Sequence, residues 1–201
     1  MSDKPQSHFF AYLARMKYIH RWGLMRNTRV ENVQEHSLQV AMIAHGLAVI
    51  GNTLFGENND IGQIALVSLY HDASEIITGD LPTPVKYFDP AITDAYKALE
   101  RRAEQQLIRL LPEPLQAAFA KVIETNQIDA AVLKVVKAAD SLAGYLKCIE
   151  EEHAGNTEFR RAKEYLAKKL DAMEKELPAV RYFRDHFVDS FKLTLDDLSH
   201  H

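Results

Sequence analysis

The sequence predicts an all-α protein. Three observations carry this reading: apolar residues recur every three or four positions in most segments, no stretch alternates long enough to demand a strand, and the periodic runs are punctuated by Gly and Pro. The first run, residues 7–20, places Phe9, Phe10, Leu13, Met16 and Ile19 at helical spacings. Residues 21–34 are irregular and carry Arg21, Arg26 and Arg29 with one glycine. A helix is expected over 35–51, where Leu38, Ala41, Met42, His45 and Val49 repeat and Gly51 signals the stop.

After a surface loop, residues 61–77 read as one helix, apolar nearly all round, as in the centre of a bundle. Gly79 ends it, and Pro82 and Pro84 each push the residue before them out of the helical region. Residues 90–111 form a long amphipathic helix with Tyr96, Leu99, Ala103, Leu107 and the pair Leu110 and Leu111. Pro112 and Pro114 break it, and Pro114 opens a short helix. Residues 129–152 make another strong helix behind Asp129; residues 157–176 are charged on one face, with Thr157 as the expected cap; and 178–201 add a helix and a last turn near Thr194. No Gly/Ser linker divides the chain, so one domain over 1–201 is expected, with the chemistry in about 30–150 and peripheral C-terminal helices over 155–201.

Composition bounds the function. Hydrophobic residues make up 47% and charged residues 26%, the balance of a soluble globule. The net charge of -4 argues against a broad nucleic-acid surface, but not against a small anion in a local basic pocket. No unbroken apolar run reaches the length of a membrane span, and the N-terminal segment lacks a signal peptide's features. The single cysteine, Cys148, reads as a buried helix residue in a reducing compartment, so the cytoplasm is the expected location.

The chemistry centres on His71-Asp72, a pair that is costly at the end of an apolar run unless something pairs or coordinates it. His36 upstream and Asp140 downstream lie in two other predicted helices. Together the four offer two imidazoles and two carboxylates, donors suited to a divalent transition metal, with positions left for water and substrate. Read singly they are bland: His36 as a cap or surface residue, Asp140 as a partner of Lys137 or Lys147. No histidine falls between Asp72 and Asp140, so one metal is the simpler count.

Glu75, four residues after His71, falls on the same helical face and suits proton handling, or else pairs with an arginine. Asp80 either caps its turn or accepts from a substrate hydroxyl. Arg21 can grip phosphate with Trp22 as a pocket wall, or face solvent beside a core tryptophan. Lys86 is a second anion contact or an exposed lysine. His45 reads as a core histidine, and the terminal pair His200 and His201 carries no organised spacing.

These residues resemble the HD-domain metal-dependent phosphohydrolases, whose pattern of a His, a distant His-Asp and a further Asp falls on His36, His71-Asp72 and Asp140. The Arg-Trp segment, HDASE and GDLPTPVKY are closely similar to the bacterial 5'-deoxynucleotidases, and the likeness spans essentially the whole chain. The resemblance implies hydrolysis of deoxyribonucleoside 5'-monophosphates with one cobalt or manganese ion per subunit, in a homodimer. It implies a catalytic role for Glu75, phosphate binding by Arg21, exclusion of ribose by Trp22 and sugar contact by Asp80. The competing readings are a triphosphate or cyclic-nucleotide phosphohydrolase on the same scaffold, or a nucleotide-binding module without catalysis.

Overall fold

A computed structural model describes residues 6–86 and 88–199; His200 and His201 lie outside the described residues. The helices are α1 (Phe9–Leu13), α2 (Val33–Leu54), α3 (Ile61–Tyr70), α4 (Glu75–Thr78), α5 (Thr83–Lys86), α6 (Pro90–Arg109), α7 (Glu113–Ile123), α8 (Ala130–His153), α9 (Arg160–Met173), α10 (Pro178–Phe187) and α11 (Leu195–Ser199). Among the described residues there is no strand; one isolated antiparallel bridge joins His20 to Asn32.

Side-chain caps set several helix starts. Asn32, Asp60, Asp89 and Asp129 each accept a backbone N–H from the first turn that follows, and so satisfy a donor the helix leaves orphaned. Asn156, not Thr157, caps the turn leading into α9. The amide oxygen of Asn156 reaches the N–H of Glu158, and Thr157 already belongs to the 3-10 turn over Thr157–Phe159.

The core lies where α2, α3 and α8 meet. Ala138, Ala139, Leu142, Ala143 and Leu146 on α8 are fully buried, as are Val40, Ala44 and Ala48 on α2. Small side chains let the backbones approach, and each buried leucine adds about 2 kcal/mol. By length and composition α2 could cross a bilayer, yet its inner face packs on α3, α8 and α10 as a core helix does.

Several expectations change. α2 runs through Gly51 to Leu54, and Thr83 opens the short α5 with Pro84 inside its first turn, where a proline's missing N–H costs no helical bond. The stripe Leu38, Met42 and Val49 on α2 faces outward, and His45 with it; the core side is Val33, His36, Val40, Ile43, Ala44 and Leu47. Both faces of α2 are apolar, so spacing alone fits either. The 61–77 segment is not one helix: α3 stops at Tyr70, and Ala73 and Glu75 donate three residues back, to Tyr70 and Asp72, before α4 begins. Nor is it buried all round, since Leu66 and Leu69 are exposed. The tight turn over 71–74 aims His71 and Asp72 sideways off the end of α3.

Candidate metal centre and phosphate site

His36 enters from the first turn of α2, fully buried. His71 caps the C-terminus of α3, and Asp72 follows in the turn. One donor atom from each of the three lies within 4.8 Å of the other two. Asp140, midway along α8, joins them, its Oδ1 3.1 Å from His36 Nε2. The structure therefore brings all four sequence candidates to one place, with Asp140 outside the tightest trio.

The donor chemistry fits a cation. His71 Nδ1 lies 2.7 Å from the carbonyl of Ser68, which accepts only a proton on that nitrogen. That turns Nε2 inward, 3.1 Å from Asp72 Oδ2, where it carries a proton toward the carboxylate or, once deprotonated, offers a lone pair to a metal. Burial works against a charged imidazole, yet Asp72 and Asp140 outweigh it and push His71 up to about 9. Burial likewise opposes both carboxylates. His71, Arg21 and His36 hold Asp72 well below the usual range, and His36 pulls Asp140 down to about 2. A set of groups that recruits positive charge so strongly is one a divalent ion would satisfy.

Glu75 opens α4 with one carboxyl oxygen buried and unpartnered. Burial, then the charges of Asp72 and Asp80, push its carboxyl up to about 10, while Arg21 and Lys86 pull the other way. The i and i+4 relation to His71 holds in sequence, but a tight turn and not a regular helix sets the approach.

Arg21 reaches the same centre from the loop before α2. Its Nη1 donates to Asp72 at 3.3 Å and its Nε to Glu31 at 3.1 Å. Burial disfavours its charge, but Asp72, Asp140, Glu31 and Asp80 keep it protonated. Trp22 packs edge-on against Phe159 at 5.3 Å between ring centres, and its indole N–H donates to Glu31. Its φ of 58° is left-handed, a conformation that side chains other than glycine's adopt at a cost. Asp80 follows Gly79, whose φ of 73° ends α4. Burial raises the Asp80 carboxyl against the charge of Arg21. Arg21, Trp22, Asp80, Pro82, Arg161 and Tyr165 are among the residues around a cavity of about 660 Å³ beside the donor cluster. Lys86 ends α5 and pairs with Glu100 at 2.7 Å.

Sequence reading missed Glu31 and the tether of the Arg21 loop. The tether is a buried ion pair between Lys147 and Glu151 on α8. Glu151 accepts from the backbone of Thr28 and Arg29 and from the side chains of Thr28 and Asn156; Lys147 donates to the carbonyl of Arg29. A charged pair at i and i+4 inside an apolar helix was the available signal.

Helices from three parts of the chain presenting a His, a His-Asp and an Asp around an arginine define a metal-dependent phosphohydrolase of the HD type. The family model described as 5'-deoxynucleotidase YfbR-like matches residues 8–191. A 5'-deoxynucleotidase of Enterobacter sp. (strain 638) and 5'-deoxynucleotidase YfbR of Escherichia coli O1:K1 are each 53% identical over 96% of this chain and 96% of their own. An HD-domain phosphohydrolase of Listeria innocua shares the fold at 21% identity, with a TM-score of 0.80 over 92% of this chain and 88% of its own. The HD phosphohydrolase DatZ of cyanophage S-2L does so at 17%, with a TM-score of 0.63 over 90% and 96%. The chain belongs to the YfbR-like 5'-deoxynucleotidase family.

Proposed function

We propose that the protein hydrolyses deoxyribonucleoside 5'-monophosphates to deoxyribonucleosides and phosphate. The observation that carries the reading is the meeting of a buried guanidinium with a metal-donor trio at one carboxylate, Asp72. A phosphoryl group placed there would lie against both. His36, His71, Asp72 and Asp140 would hold one divalent ion, cobalt or manganese, which supplies Lewis-acid stabilisation to the transferring group and lowers the pKa of water. Arg21 binds phosphate oxygens in its planar fork. Glu75 holds or moves a proton at the attacking water or at the departing 5'-oxygen. Trp22 occupies the space of a ribose 2'-hydroxyl, and Asp80 accepts from the 3'-hydroxyl. Lys86, paired with Glu100, tunes the field at Glu75 and is a second anion contact.

Arg21 and Lys86 offer fewer cationic contacts than a triphosphate needs, which favours a monophosphate. A panel of ribo- and deoxyribonucleoside mono-, di- and triphosphates, with manganese, cobalt, zinc or magnesium added, tests this directly. Deoxyribonucleoside monophosphates should release phosphate fastest. Pyrophosphate release from triphosphates, or binding without turnover, would overturn the reading.

The proposal extends to a cytoplasmic homodimer. Leu38, Met42 and Val49 on α2 and Leu66 and Leu69 on α3 leave apolar surface exposed on two helices that pack together, as a self-complementary face requires. Sedimentation of the wild type and of Met42→Lys would read it; a wild-type monomer rejects it.

A further inference from the structure

We propose that Glu31 is the positioning residue of substrate recognition, through which one carboxylate oxygen orients the phosphate-reading arginine and the sugar-facing indole together. This rests on the roles given above to Arg21 and Trp22. The loop that carries those two residues turns back on itself: the N–H of Arg21 donates to the carbonyl of Glu31 at 2.9 Å, and the N–H of Val33 to the carbonyl of Ile19 at 2.9 Å. That pairing brings the Glu31 side chain, 11% exposed, beneath both. Its Oε2 accepts from Arg21 Nε at 3.1 Å and from Trp22 Nε1 at 3.1 Å. Its Oε1 is 3.9 Å from the buried, unpartnered Nδ1 of His36.

Each bond removes a freedom that matters. An indole turns about a broad torsion with two favoured orientations, and a hydrogen bond at Nε1 selects one. A guanidinium tied at Nε keeps its terminal nitrogens directed at the centre, where Nη1 already meets Asp72. Because one oxygen serves both donors, a shift of either ring or fork is felt by the other. An acidic group here also works against anion binding, since Asp72, Asp80 and Asp140 already crowd Arg21. Its use must therefore be geometric.

The test compares the metal-loaded wild type with Glu31→Ala, Glu31→Gln, Trp22→Ala and Arg21→Ala, each checked for folding by circular dichroism and for bound metal by elemental analysis. Glutamine keeps an oxygen acceptor and loses the charge. Glu31→Ala should raise KM for a deoxyribonucleotide and narrow the deoxy-to-ribo ratio in kcat/KM together, each on the order of 10-fold. Glu31→Gln should restore the ratio to within about twofold of wild type. In the double variant Glu31→Ala, Trp22→Ala the ratio should fall no further than in Trp22→Ala alone.

A Glu31→Ala enzyme with unchanged KM and ratio would overturn the proposal. So would metal loss with the ratio intact, or a glutamine that rescues nothing. Trp22→Ala with an unchanged ratio, or Arg21→Ala with an unchanged KM, would instead remove the reading on which the proposal stands, and would show it in variants that leave Glu31 in place.

Discussion

His36 and Asp140 stand on long helices and His71 at the end of α3, all three helices filling the core with their other faces, whereas Arg21 and Trp22 stand on a loop with no core of its own. The first group is placed by apolar packing: α2, α3 and α8 cannot shift without opening space around Leu142 and Val40. The second is placed by polar ties, to Glu31 within the loop and to Glu151 and Lys147 beneath it. The donors that would hold a metal thus share in the stability of the whole fold. The groups that would read the substrate depend on a few hydrogen bonds and can be loosened separately.

Breaking the helix-borne half should have the largest effect on turnover. Asp72→Ala should lose most bound metal and on the order of 10³-fold in kcat/KM, since the residue faces both imidazoles and the guanidinium. Elemental analysis beside the assay checks it; a fully metal-loaded variant of near-normal activity would exclude Asp72 from the donor set. Next comes Glu75→Gln, which keeps the shape of α4 and should lower kcat by on the order of 10²-fold with KM little changed. Saturating-substrate kinetics read the split, and a normal kcat would leave Glu75 a structural partner.

The loop-borne half should respond less and more selectively. Arg21→Ala should weaken deoxy- and ribonucleotide turnover alike, on the order of 10-fold in KM, because phosphate is common to both. Trp22→Ala should narrow the ratio between them without a matching loss for ribonucleotides. Equal losses in both variants would merge the two roles.

Loosening the tether should move turnover least and stability most. Glu151→Gln leaves Lys147 buried beside a neutral partner and should cost about 3 kcal/mol. The sign with pH is fixed. Burial opposes the Glu151 charge, but Lys147, Thr28 and Asn156 pull the carboxyl from 4.5 down to about 2. Its stabilisation is therefore present in full above about 4.5 and lost as pH falls toward about 2. Thermal melts between pH 7 and pH 3 should fall more gently in Glu151→Gln than in the wild type; parallel curves would show that the pair is not ionised as drawn.

Much of the helix-borne half was legible in the sequence, because helical period and polar residues inside apolar runs are both local signals. His36, His71, Asp72 and Asp140 all meet at the centre. The turn at 71–74 was not legible: its residues are compatible with a continuous helix, and packing of α4 on α6 is a tertiary matter. The orientation of α2 was ambiguous because Leu38, Met42 and Val49 repeat as well as Val40, Ala44 and Leu47 do. Glu31 was invisible for a different reason. Its partners lie nine and ten residues back along an aperiodic loop, and only the chain's return through His20 and Asn32 makes them neighbours.

The left-handed backbone at Trp22 has an evolutionary consequence. Glycine adopts that conformation freely, so Trp22→Gly would relieve strain that most other replacements keep, at the loss of the ring's contact with Phe159. Under neutral drift with selection for abundance alone, this position is one where glycine is favoured by the chain's own geometry. Selection for discrimination between two nucleotide pools pulls the other way. A mutational library passed through each regime in parallel would therefore separate at residue 22, and the gap between the two outcomes would measure how much the cell values the discrimination over the fold.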